Sequence, residues 1–154
     1  METLKIKGIE DMAKCLNQLP GKLKATGEKS ALRAGGAPIR KAAKQFAKSS
    51  KDTGLLIKSI GLNVKTVKGI TSVRVGPRKG FRQTVQRKDK RTGKTREEIA
   101  NPANYGHLVE YGTSHSPAKP FIRPAVDSAQ SEILPAMAKG LEKHLARAAQ
   151  KGGR

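Results

Sequence analysis

From about Pro120 to Ala149 one pattern runs unbroken. Ile122, Ala125 or Val126, Ala129, Ile133, Met137, Leu141 and Leu145 fall on a single stripe of a 3.6-residue helix. Pro135 lies inside the pattern and predicts a bend. The stripe must be buried, and composition says with what. Trp is absent and only two Tyr and three Phe are present, so the core is built from Leu, Ile, Val and Ala. That favours helices packed on a small sheet. At 154 residues the chain has the length of one domain, residues 1–154.

The other segments fit this frame. Leu4 and Ile6 alternate with Thr3, Lys5 and Lys7 as in a short strand. Ile9, Met12, Ala13, Leu16 and Leu19 then recur at helical spacing until Pro20 and Gly21, with Cys15 as a core or half-buried thiol. A second helical pattern starts near Ser30, with Leu32, Ile39, Ala43 and Phe46 on one face. Gly35, Gly36 and Pro38 predict a kink or break within it. Asp52 and Thr53 are cap-like, and "GLLIKSIG" reads equally as a helical turn or a strand. "LNVKTVKG" and "ITSVRVG" alternate around Gly69 as a β-hairpin closed by Pro77. A short helix starts at Pro102, with Tyr105, Leu108 and Val109 inward, and ends at Gly112. The fold class expected is α+β: a small antiparallel sheet against N-terminal helices and a long C-terminal helix. Residues 150–154 are expected to form a disordered tail.

Charge narrows the partners. The chain carries 32 Lys and Arg against 12 acidic residues, a formal +20, which favours a polyanion. No stretch approaches a transmembrane span and the start lacks the apolar region of a signal peptide, so no membrane partner is expected. Much of the charge sits in 78–98, "RKGFRQTVQRKDKRTGKTREE", where only Phe81 and Val85 could join a core. This basic insert reads as a mobile loop or an extended hairpin arm. A charge run is commonly just a solvated face. The functional reading is contact with DNA or an acidic partner through Arg78, Lys79, Arg82, Arg87, Lys88, Lys90, Arg91, Lys94 and Arg96.

Catalysis finds no support. "TGKT" at 92–95 lacks the strand, glycine-rich loop and helix of a phosphate loop. His107 and Glu110 could share a helix face, but no third ligand follows at a metal-site spacing. His144 reads as surface. Ser114 and Ser116 lie in no strand–turn–helix elbow. No catalytic residue, metal or cofactor is expected. "YGHLVEYGTSHSPAKPFIRPA", residues 105–125, reads instead as a rigid joint between two packed helices. Its Thr and Ser serve loop amides, its prolines stiffen the approach, and Phe121 anchors it.

That joint also carries a resemblance. "YGHLVEYGT" followed by "SPAKPFIRPA" is similar to the signature of the small tail-component, tail-completion or neck proteins of long-tailed double-stranded DNA phages and prophages. "DTGLLIKSI" resembles the family's second element, and "ALRAGGAPIRKAAK" also fits. The basic insert is longer and more charged than in a minimal member. The corresponding motif positions are Thr53, Gly54, Leu56, Ser59, Ile60, Tyr105, Glu110, Tyr111, Gly112, Thr113, Pro117, Pro120, Phe121, Arg123 and Pro124, all residues of fold and assembly. The resemblance implies a non-enzymatic virion protein that completes the tail and joins it to the DNA-filled head. It implies a ring of six copies, made in the host cytoplasm, that meets tail-terminator or tail-tube proteins, head-closure proteins and genomic DNA in the channel. Lys and Arg from 78–96, with Arg40, Lys41 and Lys44, would then face the lumen or a ring partner. The rival reading is a small cytoplasmic basic nucleic-acid-binding protein, whose affinity would fall steeply with salt. Scarce aromatics argue against stacking on single strands.

Overall fold

A computed structural model describes residues 9–49, 54–89 and 91–152. The expected strand at 3–7, the cap-like Asp52 and Thr53, and Lys90 lie outside the described residues, as does the side chain of Cys15.

The chain is built on one antiparallel helix pair, α2 (Gly21–Phe46) and α5 (Arg123–Gly152). Ala125, Ala129, Ile133, Met137 and Leu141 of the anticipated stripe are all buried, and α5 continues through Pro135. Helix α1 (Ile9–Asn17) sets Leu16 into the same seam, with Met12 and Leu19 packed beside it.

Two expectations for α2 are corrected. It starts at Gly21, straight after Pro20, and not near Ser30. It also stays one continuous helix through Gly35, Gly36 and Pro38. The adjacent glycines break nothing because each is a point of close approach. A Cβ at Gly35 would lie 2.4 Å from Met137 Cγ on α5, and one at Gly36 would lie 2.5 Å from Leu62 Cδ1 on the sheet. Packing on two sides offsets the poor helix propensity of glycine, about 1 kcal/mol per residue. On the facing helix, a Cβ at Gly140 would meet Ala34 Cβ at 2.5 Å, and Ser30 Oγ donates to the Gly140 carbonyl at 3.0 Å.

"GLLIKSIG" is both things in turn: helix α3 (Leu55–Ser59), then strand β1 from Ile60. Strands β1 (Ile60–Val67) and β2 (Ile70–Pro77) form the anticipated hairpin, with Leu62 opposite Val75 and Val64 opposite Val73. Lys68 and Gly69 both have positive φ, 50° and 79°, the turn whose twist matches a tight hairpin. Its inward face lies on α2. Strands β3 (Gln83–Lys88) and β4 (Thr95–Ala100) form a second, separate antiparallel ribbon, so the insert is the hairpin arm and not the loop. Helix α4 (Pro102–Tyr111) follows, with Tyr105 and Val109 against the core. Leu108, expected inward, is 44% exposed.

The core has two centres. One joins Leu16, Ala31, Ile133, Met137 and Leu141; the other joins Ala43, Ala47, Leu56, Ile60, Phe121 and Ala125, where α3, α4 and the start of α5 meet. The fold is therefore α+β, with N-terminal helices, small antiparallel sheets and a long C-terminal helix. No described helix is long and apolar enough to cross a membrane.

Candidate functional site

Helix α5 begins without a side-chain cap of its own, since "PAKPFIRP" offers no Ser, Thr, Asp or Asn ahead of the first turn. The first amides of a helix have no intrahelical acceptor and carry the positive end of its dipole. Glu110, at the far end of α4, supplies what is missing. Its Oε2 accepts from the backbone N–H of Phe121 at 2.8 Å and of Ile122 at 2.9 Å, and its Oε1 accepts from Arg123 at 3.1 Å. The Glu110 side chain is buried, as is Phe121. Three charge-assisted bonds on one carboxylate fix where α4 ends relative to where α5 begins.

The intervening loop is folded to permit this. Asn101 caps α4 through Ala103 N–H at 3.1 Å, with Pro102 in the first turn. Gly112 ends the helix at φ 78°, donating to the Leu108 carbonyl, and a Cβ there would lie 2.8 Å from Ala118 N. Thr113 and Ser116 exchange backbone hydrogen bonds around a tight turn, and Lys119 N–H donates to the Val109 carbonyl at 2.8 Å. Outside this frame Arg123 stacks its guanidinium 5.2 Å from the ring centre of Tyr111, itself 66% exposed. Pro117 and Pro120 are exposed, while Pro124 is half-buried. Gly54, Leu56, Ser59 and Ile60 of the other motif element stand under the joint: Leu56 and Ile60 share the Phe121 core, and Ser59 Oγ donates to the Leu56 carbonyl at 2.7 Å. Gly54 opens α3 at φ 67°.

The histidines do not converge on chemistry. His107 is exposed, His115 Nδ1 pairs with Ser114 Oγ at 2.8 Å, and His144, expected at the surface, is half-buried with Nε2 3.0 Å from Thr26 Oγ1. Among the described residues no group of His, Cys, Asp or Glu could hold a metal ion.

The nine cations of 78–98 have different fates. Arg78 is turned back onto the body. Its chain covers Gly61, its Nε and Nη2 reach the Ser59 and Lys58 carbonyls at 3.4 Å each, and it stacks 5.4 Å from the centre of the Phe81 ring. Lys79 offers its carbonyl to Asn101 Nδ2 at 3.2 Å, tying the arm's base to α4. Arg87 pairs with Glu98 at 3.5 Å and Arg96 with Asp89 at 3.2 Å. Asp89 also holds the turn, accepting from Arg91 N–H at 2.9 Å and Thr92 N–H at 3.4 Å. These backbone bonds, Arg91 first, hold its carboxyl below the ordinary 3.8. "TGKT" is thus the hairpin turn, followed by a strand and not a helix. The side chains of Arg82, Lys88, Arg91 and Lys94 are exposed and make no ion pair with a described residue.

The same architecture answers a family comparison. The family described as "Bacteriophage HK97-gp10, putative tail-component" matches residues 10–112, from α1 to the Gly112 cap. The chain belongs to this family. It is a non-enzymatic structural protein of the phage tail and neck, at work in the virion and its assembly with other tail and head-closure proteins. The match takes in the arm and the motif from Thr53 to Gly112, Glu110 included. Thr113, Pro117, Pro120, Phe121, Arg123 and Pro124 lie beyond it. No curated protein and no solved structure matches the chain.

Reading the sequence in order misses the cap. Glu110 figures there as a motif position and a possible neighbour of His107, while its partners lie 11 to 13 residues on. The usable signal is the missing N-cap before α5.

Proposed function

We propose that this tail component works as a closed ring of six copies at the head–tail junction, around the channel through which the genome passes. It contacts a tail-terminator or tail-tube protein on one side and a head-closure protein on the other. The observation that carries this reading is the β3–β4 ribbon. It packs on no other element over any extent, is exposed along both strands, and bears most of the nine Lys and Arg of 78–98.

A ring concentrates six copies of a +20 chain, so it needs a counter-charge. Genomic DNA in the lumen supplies one, as do acidic faces of ring partners. On this reading the ribbons face the lumen or a ring partner together with Arg40 and Lys41, both exposed, and Lys44, half-buried, on the C-terminal half of α2. The α4–α5 joint is the second assembly element. Tyr111, Pro117 and Pro120 are exposed on a loop already fixed from inside by Glu110, so docking there orders little that was free.

Light scattering behind a sizing column, at low and high salt and over a range of concentrations, tests the ring. The expected species is near six times 16.6 kDa, about 100 kDa, favoured by high salt because screening weakens the repulsion between copies. A reconstruction of the assembled neck in which the ribbons point into solvent away from the axis would overturn the proposal.

A further inference from the structure

We infer that the outer end of the β3–β4 ribbon, carrying Lys88, Arg91 and Lys94, is a contact for the phosphate backbone of duplex DNA. The inference rests on the lumen reading above and narrows its choice between DNA and an acidic protein.

The ribbon's register sorts its charges along its length. Nearest the body the rungs are Gln83 with Ala100 and Thr84 with Ile99, followed by Val85 with Glu98 and Gln86 with Glu97. The outer rungs are Arg87 opposite Arg96 and Lys88 opposite Thr95, and beyond them lies the turn with Arg91 and Lys94. The four inner rungs thus carry both glutamates, while the two outer rungs and the turn carry a concentration of cations. Two arginines facing each other across a rung disfavour the free ribbon. Each is relieved by one carboxylate: Glu98 takes Arg87 from two rungs nearer the body, and Asp89 takes Arg96. That uses up the ribbon's nearby acids except Glu97. Lys88, Arg91 and Lys94 remain exposed at the far end, in no ion pair with a described residue.

Shape and chemistry then favour duplex DNA over a protein. Six residues at roughly 3.4 Å each make a ribbon about 20 Å long. A two-stranded ribbon is a shape that the major groove of B-form DNA admits. Protein interfaces centre on buried aromatic or apolar anchors. The outer half has none: Ile99 is exposed, but it lies near the root, and Phe81 is engaged by Arg78. The turn's amides are no anion nest either, because Asp89 already accepts from Arg91 and Thr92 and its carbonyl from Gly93. What the tip offers is side-chain cations alone, and these suit phosphates without reading sequence. The glutamates at the root would repel a backbone that approached closer, so contact is tip-first. Contacts blind to sequence also let DNA move past them.

The test is fluorescence anisotropy of a short labelled duplex of mixed sequence, with the full chain, as salt rises between about 50 and 200 mM. Two triple variants remove equal charge: Lys88→Gln, Arg91→Gln and Lys94→Gln at the tip, and Lys139→Gln, Lys143→Gln and Arg147→Gln on exposed positions of α5. Each phosphate contact contributes about 0.9 to the slope of log K against log salt, so the tip variant should flatten it by roughly 2.7. The α5 variant should change it far less, and duplexes of different sequence should bind wild type alike. Equal flattening by both variants, or none by the tip variant, would overturn the inference. So would polyglutamate of matched charge displacing the duplex from wild type more effectively than unlabelled duplex does. Sizing the same proteins by light scattering reads the ring separately: a failure to form rings leaves the comparison of slopes intact.

Discussion

Removing the Glu110 carboxylate should unfasten the start of α5, and the structure sets how much that costs. In Glu110→Ala three amides lose their acceptor. Those of Ile122 and Arg123 belong to residues with solvent access and can be hydrated in part, whereas Phe121 is 1% exposed and its amide has little access to water. Hydrogen bonds to a charged group contribute about 1.5–3 kcal/mol each, and an orphaned buried donor costs about 1–3 kcal/mol. Allowing for rehydration of two of the three, the loss should be roughly 3–4 kcal/mol. At about 2–4 °C per kcal/mol for a chain of this size, that is a fall in Tm on the order of 10 °C. Glu110→Gln keeps one acceptor oxygen, able to serve two amides, but loses the charge and turns an NH2 group toward the third. It should fall between wild type and alanine, at about 1–2 kcal/mol. Urea unfolding followed by far-ultraviolet circular dichroism gives the free energies, and hydrogen exchange gives the location. The amides of Phe121, Ile122 and Arg123 should lose protection before those in the middle of α5. If alanine costs under about 1 kcal/mol, or glutamine costs as much as alanine, the carboxylate is not what holds the joint.

Two further outcomes follow from particular contacts. Gly140→Ala should destabilise the fold by about 1–3 kcal/mol, despite alanine's better helix propensity, because its Cβ would lie 2.5 Å from Ala34 Cβ and 3.1 Å from the Ser30 carbonyl. Gly35→Ala presses on the flexible Met137 side chain, with Ile133 Cγ2 at an ordinary 3.4 Å, and should cost less, so thermal melts ranking the two the other way would count against the packing. The turn of the ribbon should be acid-sensitive. Asp89 has a lowered folded-state pKa, so its contribution is complete above the ordinary 3.8 and is lost as pH falls through the lower folded value. Amide resonances of Arg91 and Thr92 followed by NMR should shift over that range, and Asp89→Asn should abolish the transition.

Much of the fold was legible because it is local. The α5 stripe, the hairpin turning at Lys68–Gly69 and the Pro102 start and Gly112 stop of α4 each depend on residues within a few positions, where periodicity and turn chemistry act directly. That 105–125 turns one helix into the next was legible for the same reason, from its prolines and glycine. The error in α2 shows the limit. Gly35, Gly36 and Pro38 are helix breakers by local rules, and only the arrival of Met137 on one side and Leu62 on the other turns the two glycines into contact points.

The sequence by itself determined the helical stripes, the first hairpin, the surplus of positive charge and the joint's position. Tertiary structure alone decided three things. It made Glu110 the cap of a helix that begins more than ten residues later, it turned Arg78 inward onto α3, and it left Lys88, Arg91 and Lys94 at the free end of a ribbon whose other arginines are paired. The physical reason is common to all three. A carboxylate or a guanidinium is specified by its partner, and the partner is chosen by packing and strand register, neither of which is written at the residue itself.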